Sequence, residues 1–202
     1  MNERPILFSG EMVRAILDGR KTQTRRVIKP DWFRCLDFEE QEDIAKAILQ
    51  CPHGAAGDRL WVRETWSAVW PGEIEVPLRD CKIEYRADLP PGSTDYPGGW
   101  PAEDARGCDD APKWRPSIFM PRWASRITLE IIRIRVERVQ DISVVDTIAE
   151  GLDVLNPNSL AATSGLYKSL YEGLWNTINS KRGFGWDVNP WVWVIEFKMV
   201  KA

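Results

Sequence analysis

The chain has almost no histidine, a single residue in 202, and its four cysteines form no C-x-x-C pair. A histidine-based triad would have to run through His53, whose setting, Pro52-His53-Gly54, reads as a surface loop. Cys51 and His53 are the one close Cys/His pair. Even with Cys35 upstream they match no common zinc spacing and lack a fourth ligand, so no metal or other cofactor is expected. Cys35, Cys51, Cys81 and Cys108 read instead as free thiols of a reducing compartment. No apolar run approaches the roughly 20 residues that span a bilayer. The apolar stretch near Met1 is too short for a signal peptide, so a cytoplasmic location and no membrane partner are expected. There is no strong excess of either charge: 27 basic and 30 acidic residues leave a net charge of −3. That balance argues against an extended duplex-coating protein, while leaving room for a local basic patch.

What is present is arginine in clusters and tryptophan in quantity. Arginines fall at 20, 25 and 26, at 122 and 126, and at 133, 135 and 138. The eleven tryptophans supply large buried area, and indoles can also wall a cavity that holds a nucleobase by stacking. The densest chemistry lies in Gly19-Arg20-Lys21-Thr22-Gln23-Thr24-Arg25-Arg26. A lysine among arginines feels positive charge that disfavours its own protonation. A hydroxyl within reach of such an amine can become a nucleophile without histidine. The same run could equally grip phosphate.

Patterning supplies the frame. Ser9 is a helix N-cap ahead of Met12, Val13, Ile16 and Leu17, and Gly19 ends that helix. Residues 22–28 read as a strand, with Thr22, Thr24 and Arg26 on one face and Gln23 and Arg25 on the other. A short helix is expected over Asp43–Leu49, strands over 59–66 and 82–87, and a Pro/Gly/Asp-rich excursion over 88–116. Ile127–Val139 is expected as a long strand with Ile132, Ile134 and Val136 buried opposite Arg133, Arg135 and Glu137. Asp141 or Ser143 caps a helix ending at Glu150-Gly151. A second helix spans Ser164–Asn179, with Leu166, Leu170 and Leu174 at i+4 spacing. The closing strand, Trp191–Phe197, is apolar on both faces, which suits a central or barrel-closing position. The expected class is α+β: a small mixed β-barrel with peripheral helices and long inserted loops, in one domain over 1–202.

Taken together, the G-x-K-x-x-T-x-R run from Gly19, the Gly57-Asp58 turn, the helix ending Ala149-Glu150-Gly151 and the strand Val192–Phe197 resemble the ASCH domain, a branch of the PUA-like fold. Pro5–Ser9, Trp61–Trp66 and Met120–Arg126 look like a phage- and prophage-associated subgroup, with insertions near 30–57 and 88–116. The resemblance implies a pocket at the barrel mouth for a nucleoside or RNA ligand. It also implies, by analogy with small ASCH enzymes that deacetylate N4-acetylcytidine, a catalytic set of Lys21, Thr24 and Glu150. The chain is about twice the length of those enzymes.

In that reading Lys21 takes the Thr24 proton, Thr24 attacks an amide carbonyl, and Glu150 holds the lysine or handles protons. In an ideal strand residues 21 and 24 face opposite ways, so Lys21 must belong to the turn. Arg20, Thr22, Arg26, Arg63, Glu64, Arg122, Trp123 and Arg126 are the candidate substrate-binding residues. Arg63 and Glu64 could instead be an ion pair within the sheet, and Arg122, Trp123 and Arg126 a structural corner. Lys181-Arg182-Gly183-Phe184-Gly185 is a glycine-flanked basic turn that could touch phosphate, although such a turn is usually only a loop. Two other expectations stand beside the amidohydrolase: a non-catalytic RNA- or nucleotide-binding module, and a ribonuclease. The sequence does not set the oligomeric state.

Overall fold

Alternation along the last strand decides the architecture. In the computed structural model, which describes residues 1–29, 40–69, 76–105, 111–152 and 164–200, β7 (Trp191–Val200) sends Trp193, Ile195 and Phe197 into one apolar core and Val192 and Val194 into another. A strand covered on both faces belongs inside a sheet. Accordingly β7 lies between β6 (Thr128–Arg138) and β2 (Gln23–Val27), antiparallel to both. The five-stranded sheet runs β1-β3-β6-β7-β2. In it β1 (Glu3–Leu7) is parallel to β3 (Arg59–Arg63), and β3 is antiparallel to β6. The class is α+β, as expected. The closed barrel is corrected to an open mixed sheet: among the described residues β1 and β2 do not pair with each other. A side chain bridges that gap instead, since Arg26 on β2 donates to the Leu7 carbonyl at the end of β1 (2.7 Å).

Helices cover the sheet where their caps and apolar faces direct. The Ser9 hydroxyl accepts from the Met12 N–H at the start of α1 (Gly10–Leu17), which buries Val13, Ala15 and Ile16 and leaves Leu17 exposed. Helix α2 (Gln41–Leu49) begins two residues before the expected start. Ser143 and Asp146 form a reciprocal capping box on α4 (Val144–Ala149), which selects Ser143 over Asp141 as the cap. Helix α5 (Ser164–Asn179) has the expected bounds but another buried face. Tyr167, Tyr171 and Trp175 are each 3% exposed, whereas Leu166 and Leu170 are each 44% exposed. Large aromatic rings bury more area than leucine, and Tyr171 and Trp175 reach the core shared with Val192 and Val194.

Three further expectations change. Residues 59–66 are not one strand. The chain turns at Glu64-Thr65, where the Glu64 carboxylate is buried and held by Arg126, and Trp66 opens a separate ribbon of β4 (Trp66–Val69) with β5 (Lys82–Tyr85). In β6 the register with β7 slips between Ile131 and Arg133. A bulge inserts one residue and re-aims its neighbours, so Leu129 and Ile131 fill the core while Ile132, expected inside, is 53% exposed. The described part of the 88–116 excursion carries the one-turn helix α3 (Ala102–Ala105). The excursion packs onto the ribbon through an Arg115–Trp66 bridge and the Ser67 hydroxyl donated to the Lys113 carbonyl, and is tied to itself by the Trp114 indole N–H donated to the Asp95 carbonyl. Residues 30–39 and 106–110 of the two expected insertions, with Cys35 and Cys108, lie outside the described residues. No helix among the described residues is long and apolar enough to cross a membrane.

Candidate functional site

The end of α4 and the entry to β2 are fastened to each other before any ligand is considered. The Thr22 N–H donates to the Ala149 carbonyl (2.8 Å), and Lys21 and Glu150 form an isolated antiparallel bridge. Gly151 makes this approach feasible. Its φ is +87°, and a Cβ there would come within 2.9 Å of both Ala15 and Lys21. The sequence marks Gly151 only as a helix stop; the structure adds that no side chain fits beside Lys21.

Lys21 is 2% exposed and Glu150 4% exposed. The Lys21 amine donates to Glu150 Oε2 (2.7 Å) and to the Glu150 main-chain carbonyl (2.8 Å). It thereby brings a cation to the C-terminal carbonyl end of α4, a favourable placement. Arg25 Nη1 holds the other carboxylate oxygen, Oε1, at 3.1 Å, so both oxygens of Glu150 are fixed. Arg25 also pairs with Glu137 (2.5 Å) and Asp146 (3.2 Å). Arg135 extends the network by pairing with Glu137, Asp146 and Glu196. Arg135, on the basic face expected along β6, is therefore neutralised. Burial pushes the Lys21 amine below the usual lysine range and the Arg25 and Arg26 charges add to that, against the pull of Glu150. Arg20 has no part in it: exposed, it pairs with Asp18 and donates to the Gly151 carbonyl.

A cavity of about 630 Å³ wraps the outer edge of β2, within the 300–1,000 Å³ usual for small-molecule sites. Thr24, Arg25, Arg26 and Glu150 line it, with an aromatic wall of Phe8, Tyr171, Trp175 and Trp193. It lies at the seam of the two cores, since Phe8 and Trp193 belong to one and Tyr171 and Trp175 to the other. The ladder explains the placement. Phe197 N–H donates to Thr22 and Ile28 N–H donates to Trp191, so the even-numbered residues of β2 turn their main-chain groups towards β7. Those of Arg25 then face the open edge. Lys21 stands behind Glu150 and is not part of the lining.

Other residues reach the cavity that were not among the candidate catalytic and substrate-binding residues. His53, expected on the surface, lines it. Burial first, then the Arg26 and Arg4 charges, push its imidazole down to about 4, so it is neutral at physiological pH. Tyr171 is held protonated, burial pushing its hydroxyl well above the usual phenol range. Arg182, from the basic turn after α5, and Lys29 complete the polar lining. The signal for Tyr171 and Trp175 was their i, i+4 spacing on α5, hidden by the leucines one position earlier.

The remaining sequence candidates lie elsewhere and are engaged there. Thr22 is exposed. Arg63 lies over the Trp61 ring at 4.7 Å and does not pair with Glu64. Glu64 is clasped by Arg126 through two hydrogen bonds of 3.0 Å, and burial raises its carboxyl in spite of them. Arg126 also pairs with Asp88 and lies 3.9 Å from the Tyr85 ring centre. Arg122 pairs with Glu3, and Trp123 packs edge-on against Trp66. Of the candidate binding residues, Arg26 alone joins Thr24 and Glu150 in the cavity wall; the Arg122–Arg126 segment has the partners of a structural corner.

No family model and no curated protein matches the chain. Among solved structures, the crystal structure of an ASCH domain from Lactobacillus crispatus JV V101 is similar to it, with a TM-score of 0.43 and 10% identity, over 98% of this chain and 79% of that one.

Proposed function

We propose that the protein is a nucleotide- or RNA-related protein of the ASCH type, in the phage- and prophage-associated subgroup, and that its cavity removes an acyl group from a modified cytidine such as N4-acetylcytidine. The observation that carries this reading is the convergence of Thr24 and Glu150 on one aromatic-walled cavity, with Lys21 fixing the carboxylate from behind and Arg25 fixing it from within the wall. Tyr171 and Trp175 offer a planar base faces to stack on, and the open-edge N–H and C=O of Arg25 can read its polar rim. Thr24 Oγ1 adds to the acyl carbonyl carbon, and its proton passes to the Lys21–Glu150 pair. The C–N4 bond then breaks and the pair returns that proton to the departing amine of cytidine. Water hydrolyses the acyl-threonine ester to acetate and free Thr24. The cationic surroundings stabilise the oxyanion in both steps.

One observation favours a non-catalytic nucleotide-binding module: the Lys21 amine is spent on Glu150 rather than presented to the cavity. Incubation with N4-acetylcytidine separates the readings. The hydrolase releases cytidine and acetate in stoichiometric amounts, and Thr24→Val, which keeps the shape and removes the hydroxyl, lowers the rate at least about 100-fold. Saturable tryptophan quenching with the nucleoside recovered intact would establish the binding module instead, and fragmentation of RNA would establish a ribonuclease.

A further inference from the structure

We propose that the cavity contains a phosphate subsite, in which the Arg26 and Arg182 guanidinium groups and the Lys29 amine hold the phosphoryl group of a nucleotide whose base lies against Tyr171 and Trp175. This rests on the nucleoside reading above and extends it from nucleosides to their phosphates.

Charge bookkeeping within the cavity wall is the starting point. Among the described residues, Arg25, Arg26, Lys29 and Arg182 line it, against a single carboxylate, Glu150. Both oxygens of that carboxylate are taken, one by Lys21 and one by Arg25. Arg25 is further answered by Glu137 and Asp146. Among the described residues Arg26, Lys29 and Arg182 make no ion pair, although the Glu150 charge reaches Arg26 and opposes the effect of its burial. Arg26 touches only neutral groups, the Leu7 carbonyl and the face of Phe8, and its Nε is buried without a hydrogen-bond partner. Arg182 leans on the neutral Asn179 side-chain carbonyl at 3.4 Å. An unanswered N–H inside a protein wall is unfavourable until a ligand oxygen meets it.

The cations also feel one another across the cavity. The Arg182 charge is one of the influences that lower Arg26, after burial, and Arg26 in turn helps keep His53 neutral. Like charges lining one cavity mark a place for an anion carrying more than one charge. A phosphate monoester carries close to two at neutral pH, and guanidinium groups match its oxygens in paired hydrogen bonds. The aromatic wall lies beside these cations in the same cavity, so base and phosphate can be held together.

Tryptophan fluorescence of the full chain reads binding directly, because Trp175 and Trp193 are in the wall. Cytidine 5′-monophosphate, cytidine, a cytidylyl dinucleotide and inorganic phosphate are titrated at pH 7.5 in low salt. The monophosphate is expected to bind at least about tenfold tighter than cytidine, with a preference that shrinks as salt rises. Arg182→Ala, at an exposed position, should abolish the preference and leave cytidine affinity unchanged, while Arg182→Lys keeps part of it. A dinucleotide that binds as well as the monophosphate would assign the subsite to an RNA phosphodiester. Equal affinity for cytidine and its monophosphate, or equal losses for both in Arg182→Ala, would overturn the subsite and leave the nucleoside reading standing. Inorganic phosphate binding that Arg182→Ala removes, with no effect of any base, would uphold the subsite and overturn the nucleoside reading. An unresponsive protein would overturn both.

Discussion

Glu150 concentrates the electrostatics of the site in one side chain, taking Lys21 on one oxygen and Arg25 on the other. Removing a single partner from a buried ion pair leaves an uncompensated charge, at a cost of about 3–5 kcal/mol. Glu150→Ala should therefore lower stability by that amount in urea unfolding, while Glu150→Gln, which still accepts hydrogen bonds, should lose roughly half as much. Losses below about 1 kcal/mol for Glu150→Ala would mean the carboxylate is not buried between two cations. At this scale the sequence was partly legible. The ASCH resemblance of the G-x-K-x-x-T run and of the helix ending at Glu150-Gly151 implied the pair that the structure joins. Arg25 was not singled out because strand alternation placed it away from Thr24. An edge strand whose two faces meet one cavity defeats that inference. His53 was assigned to the surface because loop chemistry around a histidine says nothing about what packs over the loop.

Helix α5 shows how far an element can be read and where reading stops. Its bounds follow from its periodic apolar residues, yet two i, i+4 stripes run side by side, one of leucines and one of aromatics. The choice is made by the sheet, since Tyr171 and Trp175 meet Val192 and Val194. Trp175→Ala should cost about 3–5 kcal/mol, and Leu170→Ala, at a 44% exposed position, no more than about 0.5 kcal/mol. The two urea midpoints decide the matter, and a reversed order would return the leucine stripe to the core. Strand β6 carries a similar lesson. Its alternation is legible on either side of Ile131, but a bulge changes which residue is inside, and nothing local in Ile131-Ile132-Arg133 announces it. The central position of β7, by contrast, follows from its own residues, because apolar side chains on both faces leave no wet side.

Across the whole molecule, pH should act on stability through two groups with opposite charge histories. His53 has its folded value depressed to about 4 from 6.5. As pH falls below 6.5 the unfolded chain takes up a proton that the folded chain refuses, and stability is lost between 6.5 and about 4, on the order of 3 kcal/mol. Asp146 is lowered to about 2 from 3.8; burial opposes this, but the Arg135 and Ser143 hydrogen bonds and the Arg25 and Arg135 charges prevail. Its contribution is present above 3.8 and is lost as pH falls through about 2. Since His53 is the one histidine in the chain, His53→Gln should flatten urea stability between pH 6.5 and 5 and leave the lower-pH loss in place. An unchanged slope in the variant would place His53 in solvent. The α+β class was readable from strand and helix patterning alone. The open edge between β1 and β2 was not, because whether two outer strands pair is set by the curvature of the whole sheet rather than by any strand's own pattern.

A crystal structure of the Thr24→Val protein bound to N4-acetylcytidine tests the central claim most directly. The account predicts the base against Tyr171 and Trp175, with its acyl carbonyl carbon about 3–3.5 Å from the side-chain position that Thr24 Oγ1 occupies in the unsubstituted protein. A nucleoside seated instead against Arg122, Trp123 and Arg126, with the β2-edge cavity empty, would contradict it.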